Sequence, residues 1–206
     1  MVTDEAAVFW ERHYSTRRAW DGRANPLLVE TAGPLPPGAA LDLGCGAGGD
    51  AVWLARHGWQ VTAVDIAGTA VAQVRAAARD AGVRVVAERH DLDRTFPAGS
   101  FDLISAQYLQ TPFPLARDRI LRTAAQALRP GGLLLVVDHG STAPWSWHQD
   151  PDVRFPAPEE VAAGLELDPR WWYTVRADMP RRQATGPSGE IATVTDNVLL
   201  IRREGA

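Results

Sequence analysis

Short apolar runs alternate with stretches of helical periodicity along most of the chain. Ala6, Phe9, Trp10, His13 and Tyr14 fall at i, i+3 and i+4 spacing, which predicts a helix from Glu5 to about Arg18 with Asp4 as its N-cap. Leu27 to Thr31 starts a second, short helix that G-P-L-P-P-G ends. An apolar run closing at Asp42 reads as the first strand, Ala51 to His57 as the helix after it, Gln60 to Val64 as the second strand, Val71 to Asp80 as a helix and Val83 to Ala87 as the third strand. Gly99 to Ser105 is a fourth strand, Arg117 to Leu128 a helix stopped by R-P-G-G, and Leu133 to Val137 a fifth strand ending at Asp138-His139. After a helix from Glu159 to Leu165, β-rich segments 171–179 and 190–202 flank a turn from Gly186 to Gly189, so the chain should end in an antiparallel hairpin. The order is that of one α/β domain spanning residues 1–206.

Between the first strand and its helix lies A-L-D-L-G-C-G-A-G-G-D, residues 40–50, with glycines at 44, 46, 48 and 49. Glycine lets the backbone turn sharply and a ligand lie against it, while the free N–H groups of the following helix face that ligand. Gly44, Gly46 and Gly49 satisfy the G-x-G-x-x-G pattern of dinucleotide-binding folds. The next apolar run ends at Asp65, about 20 residues on, where an acid can take two ribose hydroxyls. On this pattern alone the ribose could belong to NAD, as in an oxidoreductase, and a non-catalytic binding module is a further alternative.

Composition narrows the field. The net charge is −4 and the calculated pI 5.7, so no global positive field draws in nucleic acid or an anionic membrane. All 21 basic residues are arginine, which removes the P-loop lysine and any Schiff-base lysine. Cys45 is the only cysteine, so neither a disulfide framework nor a paired-cysteine zinc site is available, and it reads as a small buried residue under the glycine loop. No apolar run approaches the roughly 20 residues of a membrane span and no signal-peptide core is visible, so a cytoplasmic protein with no membrane partner is expected.

L-D-L-G-C-G-A-G-G followed by V-T-A-V-D-I resembles the first two motifs of class I S-adenosylmethionine-dependent methyltransferases, and Asp42, two residues before the first glycine, distinguishes that version from the usual NAD fingerprint. At lower strength the resemblance extends over nearly the whole chain, most closely to small bacterial enzymes of the tellurite-resistance and thiopurine-methyltransferase type. It implies a Rossmann-like, mostly parallel seven-stranded sheet with an antiparallel C-terminal hairpin and helices on both faces. It also implies S-adenosylmethionine as cofactor, S-adenosylhomocysteine as product and a small-molecule substrate. The cofactor would lie against Asp42, Gly44, Cys45, Gly46, Gly48, Asp65 and Ile66. Asp91 in H-D-L-D would accept from the adenine amino group, with the Leu92 N–H meeting the ring, and Gln107 and Tyr108 would lie near the methionine end. Residues 1–32 would form a helical lid, carrying Tyr14 and Trp20 over that end. The loop after the fourth strand reads A-Q-Y-L-Q rather than the N-P-P-Y type of amino-group nucleic-acid enzymes, so no nucleic-acid partner is expected.

From Gly140 to Pro158 the chain carries Trp145, Trp147, His148 and Phe155 among prolines with little periodicity. An aromatic loop past a strand's carboxyl end can roof an apolar pocket, so residues 140–158 form a candidate substrate roof, with Phe113, Trp145 and Trp147 as candidate substrate contacts. Such loops also simply pack on a domain. An acceptor that must lose a proton needs a base, for which His139 and His148 are candidates and Asp138 lies close by; a thiolate or tellurite needs none. Asp138, His139, His148 and Asp150 show no metal-ligand spacing, so no metal is expected. Arg181, Arg182, Arg202 and Arg203 read as a solvated face, and the chain as a monomer or homodimer.

Overall fold

The computed structural model describes residues 2–16, 22–146, 149–150 and 152–205. Its elements run α1 (Val2–Thr16), α2 (Pro26–Ala32), β1 (Ala39–Leu43), α3 (Gly49–Arg56), β2 (Gln60–Asp65), α4 (Gly68–Asp80), β3 (Val85–Arg89), β4 (Phe101–Gln107), α5 (Arg117–Gln126), β5 (Leu128–His139), α6 (Pro158–Gly164), β6 (Trp172–Asp178), β7 (Arg181–Thr185) and β8 (Ile191–Arg203). The sheet order is β3-β2-β1-β4-β5-β8-β6, with β7 paired to β8. Strands β1 to β5 are mutually parallel, and β8 runs antiparallel to β5, β6 and β7.

Alternation within the central strands builds two cores. Leu103, Leu135 and Val137 face one side of the sheet, where they meet Leu28, Leu54 and Val74 from α2, α3 and α4. Ile104, Leu134 and Val136 face the other, against Leu121 and Ala124 of α5 and Val161 of α6. Strands covered on both faces need apolar residues at every position, as Leu133 to Val137 supply. Because β1 is flanked by β2 on one side and β4 on the other, the strand order reverses beside it, and open α/β sheets bind ligands at the carboxyl ends there.

Three expectations change. Helix α1 begins at Val2, so Asp4 lies inside it instead of capping it. R-P-G-G does not end the helix: α5 stops at Gln126, and these residues form the irregular start of β5, where the register with β4 shifts between Phe101 and Leu103. The sheet has eight strands rather than seven. Strand β8 continues beyond its partners β5 and β6, and β7 satisfies the backbone groups of Ile191–Thr195. The hairpin around Gly186–Gly189 is therefore β7–β8, while β6 pairs with the other end of β8.

Candidate active site

The glycine loop leaves β1 through Gly44, at φ +70, and enters α3 through Gly48, at φ +89. A Cβ on Gly48 would stand 2.9 Å from the Val74 side chain and one on Gly44 the same distance from Leu109, so the two positions need glycine for both backbone and space. Asp65, at the end of β2, accepts the N–H of Gly46 at 3.1 Å and of Ala67 at 2.9 Å. Burial raises its pKa, against the pull of those backbone bonds.

Two further carboxylates stand behind the loop. Asp42 is 2 % exposed and its Oδ2 has no hydrogen-bond partner. Burial, then the charges of Asp50 and Asp65, push its pKa well up. Asp50 accepts the Asn25 N–H at 2.6 Å, and burial raises its pKa to about 6. Cys45 is buried at this point, its thiol pushed up by burial first and by Asp42 and Asp65 next.

In front of the loop lies a half-open, mostly apolar cleft with a few polar groups converging on it, the usual character of a small-molecule site. Tyr14, Gly44, Asp65, Ile66, Asp91, Leu92 and Tyr108 line it, together with Trp10, His90, Asp93 and Leu109, which the sequence had not singled out as site residues. Helix α1 crosses its mouth. Trp10 Nε1 donates to Thr111 Oγ1 at 3.2 Å, and Phe9 meets Phe113 edge-on at 5.4 Å between ring centres. On the opposite bank Glu11 accepts the Thr69 N–H at 3.1 Å and its hydroxyl, and the hydroxyl bond is the main cause of a lowered Glu11 pKa.

Tyr108 follows directly on β4 with φ +52, a left-handed conformation that costs a non-glycine residue about 1–3 kcal/mol. Its hydroxyl donates to Asp196 Oδ1 at 3.0 Å and accepts from Arg182 at 3.2 Å, and its ring stacks on His139 at 4.3 Å and 20°. Burial and the neighbouring Asp196 charge raise the phenol pKa to about 12. His139 is exposed at the end of β5 but partly desolvated against Tyr108, which lowers its pKa; Arg182 adds to this and Asp196 opposes it. Its ring is therefore neutral at pH 7. Asp138 is ion-paired with Arg117 at 2.7 and 2.5 Å, and the same guanidinium donates to the Leu109 carbonyl at 3.1 Å. That pair fixes the loop after β4 and leaves Asp138 no room to act as a base.

Several expected site residues lie elsewhere. Asp42, Cys45, Gly46 and Gly48 stand beneath the cleft wall and do not line it. Gln107 turns to Ser105 at 2.8 Å, with its Oε1 buried and unpartnered. Phe113 seals α1 against the loop after β4, outside the lining. Trp145 packs against the β7–β8 turn, where a Cβ on Gly186 would come within 2.6 Å of its ring. The described part of segment 140–158 is stitched to β8 through Gly140 N–H to Thr195 O and Thr195 N–H to Ser141 Oγ, both at 2.8 Å, and Asn197 Nδ2 to Pro156 O at 2.7 Å. Neither it nor Phe113 lines the cleft, so the expected substrate contacts Phe113 and Trp145 are not cleft residues. Trp20, Trp147 and His148 lie outside the described residues. Of the arginines expected on a solvated face, Arg182 is exposed but also bonds Asp196 and Tyr108, and Arg203 is half-buried over Trp172 at 5.5 Å.

Residues 40–132, from β1 into the start of β5, match the family model described as a methyltransferase domain. Over 107 residues the chain is 38% identical to a ubiquinone biosynthesis O-methyltransferase of Xanthomonas campestris, covering 50% of this chain and 43% of that protein. Residues 40–132 thus carry the methyltransferase domain that this model describes. The chain is also 34% identical over 158 residues to the ribosomal RNA small subunit methyltransferase C of Alcanivorax borkumensis, covering 72% of this chain and 47% of that one. It thus spans about half the length of the curated relatives it matches. A solved structure described as "Conversion of a Disulfide Bond into a Thioacetal Group during Echinomycin Biosynthesis" superposes with a TM-score of 0.71 at 28% identity, over 99% of this chain and 93% of that one.

S-Adenosylmethionine is the family's cofactor, and the residues present suit it. The backbone at Gly44 is open to the cleft, so a ligand can lie against the loop, and Asp65 at the end of β2 suits a ribose. Among the described residues no group of three or more His, Cys, Asp or Glu side chains is placed to hold a metal ion, and no helix is long and apolar enough to cross a membrane.

Proposed function

We propose that this chain transfers a methyl group from S-adenosylmethionine to an oxygen, nitrogen or sulfur atom of a small molecule, as a cytoplasmic monomer or homodimer. The observation that carries the reading is the cleft at the sheet's switch point, which brings Gly44, Asp65, Asp91 and Tyr108 to one surface beneath α1. When bound, S-adenosylmethionine supplies a methyl group already activated on a sulfonium, so the protein's task is alignment and exclusion of water. Asp65 would hold the ribose, Asp91 and the Leu92 N–H the adenine, and the glycine loop at Gly44 the amino-acid end. Helix α1, bonded to Thr111 through Trp10 and to Thr69 through Glu11, would shield the bound cofactor from water. The ring of Tyr108 gives the sulfonium an aromatic face.

For an acceptor that carries a proton, His139 is the candidate base: its pKa is lowered and its ring stacks on Tyr108, although His139 itself does not line the cleft. A small-molecule acceptor is favoured over RNA by the net charge of −4 and by the loop after β4, although one relative is a ribosomal RNA methyltransferase. The structure described for disulfide-to-thioacetal conversion supports sulfur among the acceptor atoms.

The test is calorimetric titration of the purified chain with S-adenosylhomocysteine, with NADH in parallel, followed by methyl-transfer assays on phenols, thiols, amines and tellurite. Micromolar binding of the homocysteine product alone, with transfer to at least one acceptor, is expected. Binding of NADH instead would return the oxidoreductase reading, and binding without transfer would favour a non-catalytic module.

A further inference from the structure

Strand β7 carries one side chain that reaches the wall of the cleft from behind. Arg182 Nε donates to Asp196 Oδ2 at 2.5 Å, and its Nη2 donates to Asp196 Oδ1 at 3.3 Å and to the Tyr108 hydroxyl at 3.2 Å. Asp196 is 1 % exposed and accepts the Tyr108 O–H as well, so the three side chains close a ring of hydrogen bonds. Arg182 itself does not line the cleft, whereas Tyr108 lines it together with Gly44 and Asp65. The backbone of Tyr108 is left-handed, a conformation that persists only where the surroundings over-determine it, and such positions cluster at functional sites.

We propose that Arg182 is a positioning residue for the methyl-donor cleft: through Asp196 and the Tyr108 hydroxyl it fixes the Tyr108 ring as the cleft wall between the glycine loop and His139. This rests on the methyl-donor reading of the cleft. It gives β7, the strand beyond the seven of the main sheet path, a role in the site: β8 extends past β5 so that Arg182 and Asp196, from adjacent strands, meet over the end of β4. A surface ion pair would need neither the buried carboxylate nor the bond to the phenol. The geometry includes both.

The test compares Arg182→Ala, Arg182→Lys, Tyr108→Phe and the Arg182→Ala/Tyr108→Phe double variant of the full chain with two readouts. The first needs no ligand: the chain has three tyrosines, so ring-labelled tyrosine gives few NMR signals, and Tyr108→Phe assigns one of them. In Arg182→Ala that signal should move or broaden, and in Arg182→Lys return toward its original position. The second is S-adenosylhomocysteine affinity by calorimetry. Arg182→Ala and Tyr108→Phe should each bind about tenfold more weakly, Arg182→Lys should recover part of that loss, and the double variant should bind no more weakly than either of the first two, since groups acting through one another are not additive. A Tyr108 signal unmoved by Arg182→Ala, wild-type affinity in that variant, or losses that multiply in the double variant would each overturn the proposal. A wild-type chain that binds no S-adenosylhomocysteine would overturn the methyl-donor reading and the functional half of the proposal with it, while the NMR arm would still report whether Arg182 holds the ring.

Discussion

The carboxylate of Asp65 accepts the backbone N–H of Gly46 at 3.1 Å across nineteen residues of sequence, so the end of β2 holds the glycine loop of β1 in shape. The same side chain lines the cleft, which makes it both a part of the loop's support and a ligand-facing acid.

Asp65→Ala should therefore weaken S-adenosylhomocysteine binding by about 1–3 kcal/mol, the range for a lost bond to a charged group. Calorimetry checks this, with thermal unfolding run alongside; unchanged affinity would remove Asp65 from the site.

Asp50 illustrates how the acids behind the loop respond to pH. Its folded pKa of about 6 lies above its unfolded value near 3.8, so the folded chain binds the extra proton between those values and stability falls as pH rises through them. Asp50→Asn keeps an oxygen for the Asn25 N–H and removes the titration. Its stability relative to wild type should grow as pH is raised from 4 to 7, by up to ~3 kcal/mol, as read from urea unfolding at each pH. A difference that stays flat across that window would show that Asp50 ionises as freely folded as unfolded.

His139→Gln should lower kcat on a phenolic acceptor by roughly 10²–10⁴ while leaving S-adenosylhomocysteine affinity in place. Because the ring's pKa is depressed, wild-type rates on that acceptor should already be on their plateau by pH 7, and the variant should lose the acid-side fall-off. Equal rates in the two proteins would discharge His139 from the role of base.

Glu11 on α1 caps α4 from outside by accepting the Thr69 N–H. Glu11→Ala should cost about 1 kcal/mol of stability, the usual value of a lost cap, and hydrogen exchange should speed up in α1 ahead of the sheet. Exchange that accelerates evenly over the chain would mean that α1 does not open as a separate unit.

The glycine loop, its two flanking strands and the acids at 42 and 65 were legible in the sequence because their signals are local: a turn needing glycine, an apolar run, an acid at its end. Trp10 was visible as part of the same helical face as Tyr14, though its place in the cleft wall depends on where α1 docks. What escaped is non-local. The stretch R-R-Q-A-T carries no alternation of apolar and polar residues, and only its pairing with β8 makes it a strand and brings Arg182 to Tyr108. R-P-G-G has the chemistry of a helix stop, and it took the pairing of Leu128 with Phe101 to draw it into β5. The aromatic loop at 140–158 was read from composition and position. Neither reveals the direction in which a loop folds, and hydrogen bonds to Thr195 and Asn197 draw it onto β8.

The chain's single cysteine, buried between Asp42 and Asp65 with its thiol held protonated, has a consequence for the chemistry around it. Only a thiolate attacks a disulfide or takes up an oxidant, and Cys45 offers almost none. The chain's one thiol is thus a poor partner for disulfides or alkylating agents that reach the cleft, whose wall it does not form.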